Sequence, residues 1–296
     1  MNIRQTTDVE KFAEQALPFL QHRPAEHNLL LALLRSLLSS QSRSPAVLIT
    51  VEQAQETVAV ALQTAARPLL LSRMESPASI EALVYHIQTC WPSQTVPLRQ
   101  SLRQFGAPQA EGALLAKRLR RKTGLRYEPK IAMRIHRLTQ VIPARSRQYP
   151  MCQLAAGTLR LARSGDRPQL IRWSRAFELE AFGEPRTDPA LWVDRSLHAA
   201  SLYLWEASTG PVAMVAGQGS IERREGGRIG PVYTPPRYRG RGYATAATAA
   251  LSQQLLDQGC SACYLFTDLN NPTANRIYQA IGYSPVCNWD EYAVRG

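Results

Sequence analysis

Residues 228–250, RIGPVYTPPRYRGRGYATAATAA, set strand-like, turn-like and helix-like sequence end to end with no spacer. Ile229, Val232 and Tyr233 suit a buried strand, Pro235 and Pro236 stop it, and Gly240 and Gly242 open a helix. From Tyr243 the apolar residues fall at Ala247, Ala250, Leu251 and Leu255, one face of a 3.6-residue repeat, until Gly259 supplies the stop. Glycines at a helix start let a ligand approach the backbone closely, and the first four amides there have no intrahelical partner. Those N–H groups, with the positive end of the helix dipole, suit an anion such as a pyrophosphate. Arg237, Arg239 and Arg241 add formal charge.

Three readings compete for this turn. A triphosphate loop of the G-x-x-x-x-G-K-[ST] kind fits worst, since neither a second glycine at that spacing nor a lysine is present. A dinucleotide fingerprint has Gly240 and Gly242, with Thr245 in the third glycine's place and Asp268 ending the next strand. It also wants its glycines directly after the strand, where residues 235–239 intervene. A glycine-rich turn with solvated arginines is the bland reading.

The continuation separates them. Arg237, Gly240 and Gly242 fit R/Q-x-x-G-x-G/A, and beyond a helix and a strand Asn271, Ala274 and Tyr278 fit N-x-x-A-x-x-x-Y. In this order and spacing the pair resembles the GNAT superfamily of acyl-CoA N-acyltransferases. The resemblance covers about residues 157–296 and is strongest from Gly230 onward. The layout is also similar to a bacterial subgroup that carries a second, degenerate acyltransferase-like lobe in front.

A chain of 296 residues has room for two domains. The reading is an N-terminal α+β domain over 1–142, a linker over 143–156 and an acetyltransferase domain over 157–296. In the first, helices are expected at 8–22 and 26–40, strands at 46–51, 57–62 and 69–71, a helix after Ser76-Pro77, and a helix over 109–122 stopped by Gly124. A long strand follows over 127–141. In the second, a strand at 158–162 and helices at 167–182 and after Asp188-Pro189 precede a meander of three strands, 202–205, 212–216 and 228–234. The strand 264–267 should lie parallel to the last of these after a crossover, the helix 272–281 starts at Asn271-Pro272, and 292–294 can close the sheet. The fold class is therefore α+β, with a mixed, mostly antiparallel sheet flanked by helices. No glycine-rich turn occurs in the first half, so that lobe is expected to pack or shape substrate rather than catalyse.

With 45% hydrophobic and 20% charged residues the chain is globular, not disordered. The apolar run 29–34 ends at Arg35, too short to span a bilayer, and residues 1–16 carry Asp8, Glu10 and Glu14, unlike a signal peptide. A cytoplasmic protein with no membrane partner is expected. Five cysteines at irregular spacing do not suggest a disulfide framework, and the C-x-x-C of Cys260 and Cys263 has no second pair for a metal. No metal is expected. The net charge of +12 is concentrated in 117–147, where Glu128 is the sole acid. Such a patch favours an anion, and nucleic acid is a candidate partner there beside the bland reading of a solvated basic face.

Pro231 lies inside a central strand, where a missing N–H opens a gap beside the neighbouring strand. The family resemblance implies that the pantetheine arm of acetyl-CoA occupies such a gap, along Val232, Tyr233 and Thr234. It implies a diphosphate on the amides of Arg239, Gly240, Arg241, Gly242, Tyr243 and Ala244, with Arg237, Asn271 and Asn275 as further cofactor contacts. A backbone N–H near Tyr233 would face the thioester oxygen. The implied reaction is acetyl transfer to an amine, small or peptidic, by direct attack on the thioester, with Tyr278 as general acid to the departing thiolate. Glu178, Glu180, Glu206, Asp290 and Glu291 are carboxylates in acceptor-side segments, and spacing selects none as a base. The other reading is an acyl-CoA-binding regulatory or nucleic-acid-associated protein without turnover.

Overall fold

The computed structural model describes residues 1–39, 46–64, 68–74, 76–90, 102–143, 155–219 and 225–295. The expected linker, 143–156, lies largely outside them. Two compact units result, and neither is contiguous: one is Met1–Ile135, Thr267–Asn270 and Val286–Gly296, the other His136–Phe266 and Asn271–Pro285. The first unit therefore takes back the C-terminal residues that sequence order assigns to the second domain.

Along the chain come β1 (Asn2–Thr6), α1 (Val9–Gln21), α2 (Asn28–Ser39), β2 (Ala46–Gln53), β3 (Glu56–Thr64), β4 (Leu69–Leu71), α3 (Pro77–Thr89), β5 (Gln104–Pro108), α4 (Gln109–Thr123) and β6 (Tyr127–Leu138). The second half gives β7 (Thr158–Leu161), α5 (Arg167–Phe182), α6 (Pro189–His198), β8 (Leu202–Ala207), β9 (Gly210–Gly219), β10 (Gly227–Tyr233), α7 (Tyr243–Asp257), β11 (Cys263–Asp268), α8 (Pro272–Ile281) and β12 (Ser284–Val294). Among the described residues, and apart from single-turn 3₁₀ segments, both halves follow one order: strand, two helices, three strands, helix, strand, helix, strand.

Local chemistry explains most boundaries. Asp8 caps α1 by accepting from the Lys11 amide, Asp188 caps α6 from Ala190 and Leu191, and Pro189 fills the first helical position. Ala54 and Gln55, both with positive φ, form the tight turn between β2 and β3 that a right-twisted hairpin prefers. β1 and β5, short and polar or proline-ended, lack the alternation that announces a strand, and β6 stops at Leu138 rather than at Val141.

In the first unit the hydrogen-bonded neighbours run β1, β2, β3, β4, β5, β12, all antiparallel except β4 with β5. The partner of β5 is β12, with Tyr292 opposite Phe105, and these rings stack at 4.8 Å inside a core that includes Leu83, Ile87, Leu115 and Leu119. The expected sheet closure by 292–294 thus takes place in the first unit.

In the second unit the order is β7, β8, β9, β10, β11, antiparallel except β10 with β11, as the meander and crossover require. Side chains alternate along β9. Met214 and Ala216 pack with Leu170, Trp173 and Val193 of α5 and α6, whereas Ala213 and Val215 pack with Ala247, Leu251 and Leu255 of α7. The sheet is covered on both faces, and its carboxyl ends between β10 and β11 carry the site.

Candidate active site

β10 and β11 are paired only at Gly227 with Cys263 and Arg228 with Tyr264, and no further pairing follows as the strands run on. On its other side β10 loses register with β9 between Ile229 and Val232, so Gly230 and Pro231 bulge out of the ladder. Proline has no N–H to give a neighbour, and the strand parts where its sequence requires. Past the bulge, Val232 and Tyr233 regain β9 at Val215 and Met214.

The chain then turns through a short 3₁₀ segment, Pro236–Tyr238, into the glycines. Gly240 and Gly242 both adopt the left-handed conformation, with φ of 75° and 76°. Only glycine enters it without strain, which is the reason for the pair. Gly242 is the N-cap of α7 and offers no side chain to the helix amides, whereas Asp8, Ser76, Asp188 and Asn271 each cap their own helix. The amides from Gly240 to Ala244 consequently have no acceptor among the described residues. A side chain at Gly240 would meet no protein atom within 4 Å. Open space, free donors and the helix dipole converge there.

Not every residue expected in this cradle has a free donor. The Arg239 amide is bonded to the Pro236 carbonyl at 3.2 Å, and its side chain folds back, Nε to the Thr234 carbonyl at 2.8 Å and Nη2 to Glu180. The run of amides without an acceptor therefore starts at Gly240. Arg241 is exposed without an ion pair among the described residues, and the guanidinium of Arg237 stands 4.7 Å from the Tyr238 ring centroid. The Thr234 hydroxyl is buried at the end of β10 with no partner among the described residues, an acceptor and donor waiting for one.

Asn271 caps α8, its Oδ1 accepting from the Ala274 amide at 3.0 Å, and Asn275 returns Nδ2 to the Asn271 carbonyl at 2.9 Å. Both amides fix the first turn of the helix that carries Tyr278. The ring of Tyr278 meets Tyr283 edge-on at 6.0 Å and flanks the same core cluster as Val232, Tyr238 and Tyr243. Burial pushes its phenol up to about 12, so it remains protonated at neutral pH. No described residue bonds its hydroxyl.

The five carboxylates expected on the acceptor side part company. Glu178 is buried and accepts from the amides of Arg186 and Thr187 and from the Thr187 hydroxyl at 2.6 Å, which holds the chain between α5 and α6. Glu206 is tied to Arg160, and Asp290 and Glu291 belong to the first unit. Glu180 alone of the five reaches the end of β10, accepting from Tyr233 Oη at 3.2 Å. Burial, then Glu180, raises the Tyr233 phenol above its ordinary value. The thiol of Cys263 is buried, pushed up to about 12 by that burial, and points to the Ser252 carbonyl, so it packs rather than reacts. Among the described residues no three His, Cys, Asp or Glu side chains gather to hold a metal, and no helix is long and apolar enough to cross a membrane.

A mixed sheet parting at an uncapped, glycine-opened helix is an arrangement suited to an anionic ligand. The model of the Acetyltransferase (GNAT) family matches residues 168–283. An acetyltransferase of Sodalis glossinidius (strain morsitans) is 31% identical over 132 residues, 42% of this chain and 85% of that protein. The chain belongs to the GNAT acetyltransferase family. Solved structures similar to the whole chain extend the fold to both units. A GNAT-family acetyltransferase from Colwellia psychrerythraea matches with a TM-score of 0.59, 11% identity and full coverage of both chains. One from Sphaerobacter thermophilus matches with 0.59 and 19% identity over 98% of this chain and 94% of that one. A tandem GNAT protein from the clavulanic acid biosynthesis pathway matches with 0.58 and 11% identity over 100% and 99%.

Proposed function

We propose that the protein is an acetyl-CoA-dependent N-acetyltransferase whose working site lies wholly in the second unit. The observation that carries this reading is the parting of β10 from β11 beside the uncapped N-terminus of α7, with the Tyr278 phenol on the same core cluster. Acetyl-CoA would supply the activated acetyl group. Its diphosphate suits the amides of Gly240, Arg241, Gly242, Tyr243 and Ala244, with Arg237 and Arg241 adding charge. The pantetheine arm suits the unpaired edge of β10 and the partnerless Thr234 hydroxyl. Tyr278 holds the proton that the departing thiolate needs, and Asn271 and Asn275 keep it in place through α8.

The acceptor is an amine, small or peptidic, and Glu180 with Tyr233 is the acceptor-side pair: a carboxylate able to receive an ammonium group at the end of β10. Calorimetric titration of the full chain with coenzyme A, followed by thiol release from acetyl-CoA across a panel of amines, tests the reading. Binding with turnover supports it. Binding without turnover on any amine would leave an acyl-CoA-binding regulator, and no binding would remove the cofactor site.

The first unit is, in this reading, a degenerate copy that has lost the donor site. It repeats the element order, and β4 and β5 pair in parallel only at Leu69 with Phe105 and Leu70 with Gly106. Yet Ser76 caps α3 where a glycine opens α7, the Met74 amide donates to buried Glu111 at 3.2 Å, and the Arg73 amide donates to His27 Nε2 at 3.1 Å. Backbone donors that a cofactor would need are used by the unit's own side chains.

A further inference from the structure

The first unit carries a strongly charged face that acetyl transfer does not use. α4 ends in Arg120, Arg121 and Lys122, with Lys117 a turn earlier and Arg126 just beyond the Gly124 stop. These five side chains are exposed, and none forms an ion pair among the described residues. Arg118, turned toward α3, is paired with Glu81 at 2.5 Å. Cations in a last turn offset the helix dipole, which accounts for part of the pattern. It does not account for Lys117 with Arg121, like charges four residues apart, which weaken a helix.

Beside this face stands an aromatic ring. Glu81, Tyr85 and Gln88 share one side of α3 at helical spacing. Glu81 holds Arg118, and Gln88 Nε2 donates to the Lys122 carbonyl at 3.2 Å, so Tyr85 is bracketed by two contacts to α4. Its side chain is 69% exposed, the most exposed large hydrophobic side chain among the described residues. A flat ring left open on α3, between contacts to Arg118 and Lys122 of the helix that carries the exposed cations, matches a ligand that joins phosphates to stackable bases. A duplex keeps its bases stacked away from such a ring, and an acidic peptide brings charge but no base to stack.

We infer that this face binds single-stranded nucleic acid, with Tyr85 stacking on a base and Lys117, Arg120, Arg121, Lys122 and Arg126 on the phosphates. The site stands on the first unit alone and does not depend on the acetyl-transfer reading. The test is fluorescence anisotropy of the full chain with a labelled single strand of about 20 nucleotides and with its duplex, at roughly 50 mM salt and upward. Tyr85→Ala should weaken single-strand binding about 5- to 100-fold and leave duplex binding unchanged. The double change Arg120→Ala, Arg121→Ala should flatten the salt dependence by about 1.4 in the log–log slope, about 0.7 for each phosphate no longer neutralised. Tyr85 is exposed, so an unchanged melting temperature confirms that its variant is folded. The inference is overturned by no anisotropy change at the lowest salt, by a Tyr85→Ala protein that binds single strands as the parent does, or by polyglutamate displacing the strand charge for charge.

Discussion

The Tyr233 hydroxyl donates to Glu180 across 3.2 Å, tying the last residue of β10 to the final turn of α5. Arg239 reaches the same carboxylate while holding the Thr234 carbonyl, so strand, turn and helix meet in one polar cluster. Because the ion pair is about half exposed, Glu180→Gln should cost less than about 1 kcal/mol of stability. Removing a charge-assisted hydrogen bond to an ammonium acceptor should raise the KM for the amine about 10- to 100-fold. The KM for acetyl-CoA should stay put. Steady-state kinetics that showed no change in the amine KM would remove Glu180 from the acceptor side.

Tyr278→Phe keeps the ring against Tyr283 and removes only a hydroxyl that no described residue bonds. Stability should hardly change. The rate of thiol release should fall by about 100- to 10,000-fold, the usual range for a missing general acid, with coenzyme A affinity intact. Single-turnover kinetics at the parent rate would assign the proton to another donor.

Gly240→Ala places a methyl group in the open space of the cradle, where no protein atom lies within 4 Å, at a φ of 75°. The left-handed backbone makes this cost about 1–2 kcal/mol in the free protein. Coenzyme A should lose more than that, because the methyl stands where a phosphate approaches the amides. Calorimetry is expected to show affinity at least about tenfold lower, beyond the stability loss read from urea unfolding. Unchanged affinity would place the diphosphate elsewhere.

Alkaline pH should expose the buried phenols. Tyr278 and Tyr292 are both raised by burial to about 12 from an ordinary value near 10. A group whose folded pKa is raised contributes stability that is complete below its unfolded pKa and lost as pH climbs through the folded value. From these two phenols, the contribution should therefore be flat below about pH 10 and fall between about 10 and 12. Urea midpoints across that window, compared with those of Tyr278→Phe, separate the part due to Tyr278. An identical decline in parent and variant would mean that Tyr278 does not contribute.

What the sequence determined by itself is what local chemistry controls. Proline without an N–H at 231, glycines at 240 and 242, caps at Asp8, Asp188 and Asn271, and the apolar repeat of α7 act within a few residues, through φ, ψ and near-neighbour hydrogen bonds. The parallel placement of β11 and the meander before it followed from chain order and handedness. Only the tertiary structure decided which of five carboxylates meets Tyr233, a contact across 53 positions, and that Arg239 turns back to Glu180 across 59. Only it gave β5 its partner in β12, bound the Arg73 and Met74 amides to His27 and Glu111, and joined α3 to α4 through Gln88 and the Lys122 carbonyl. Such contacts depend on packing and strand register between distant segments, and spacing along the chain carries no record of either.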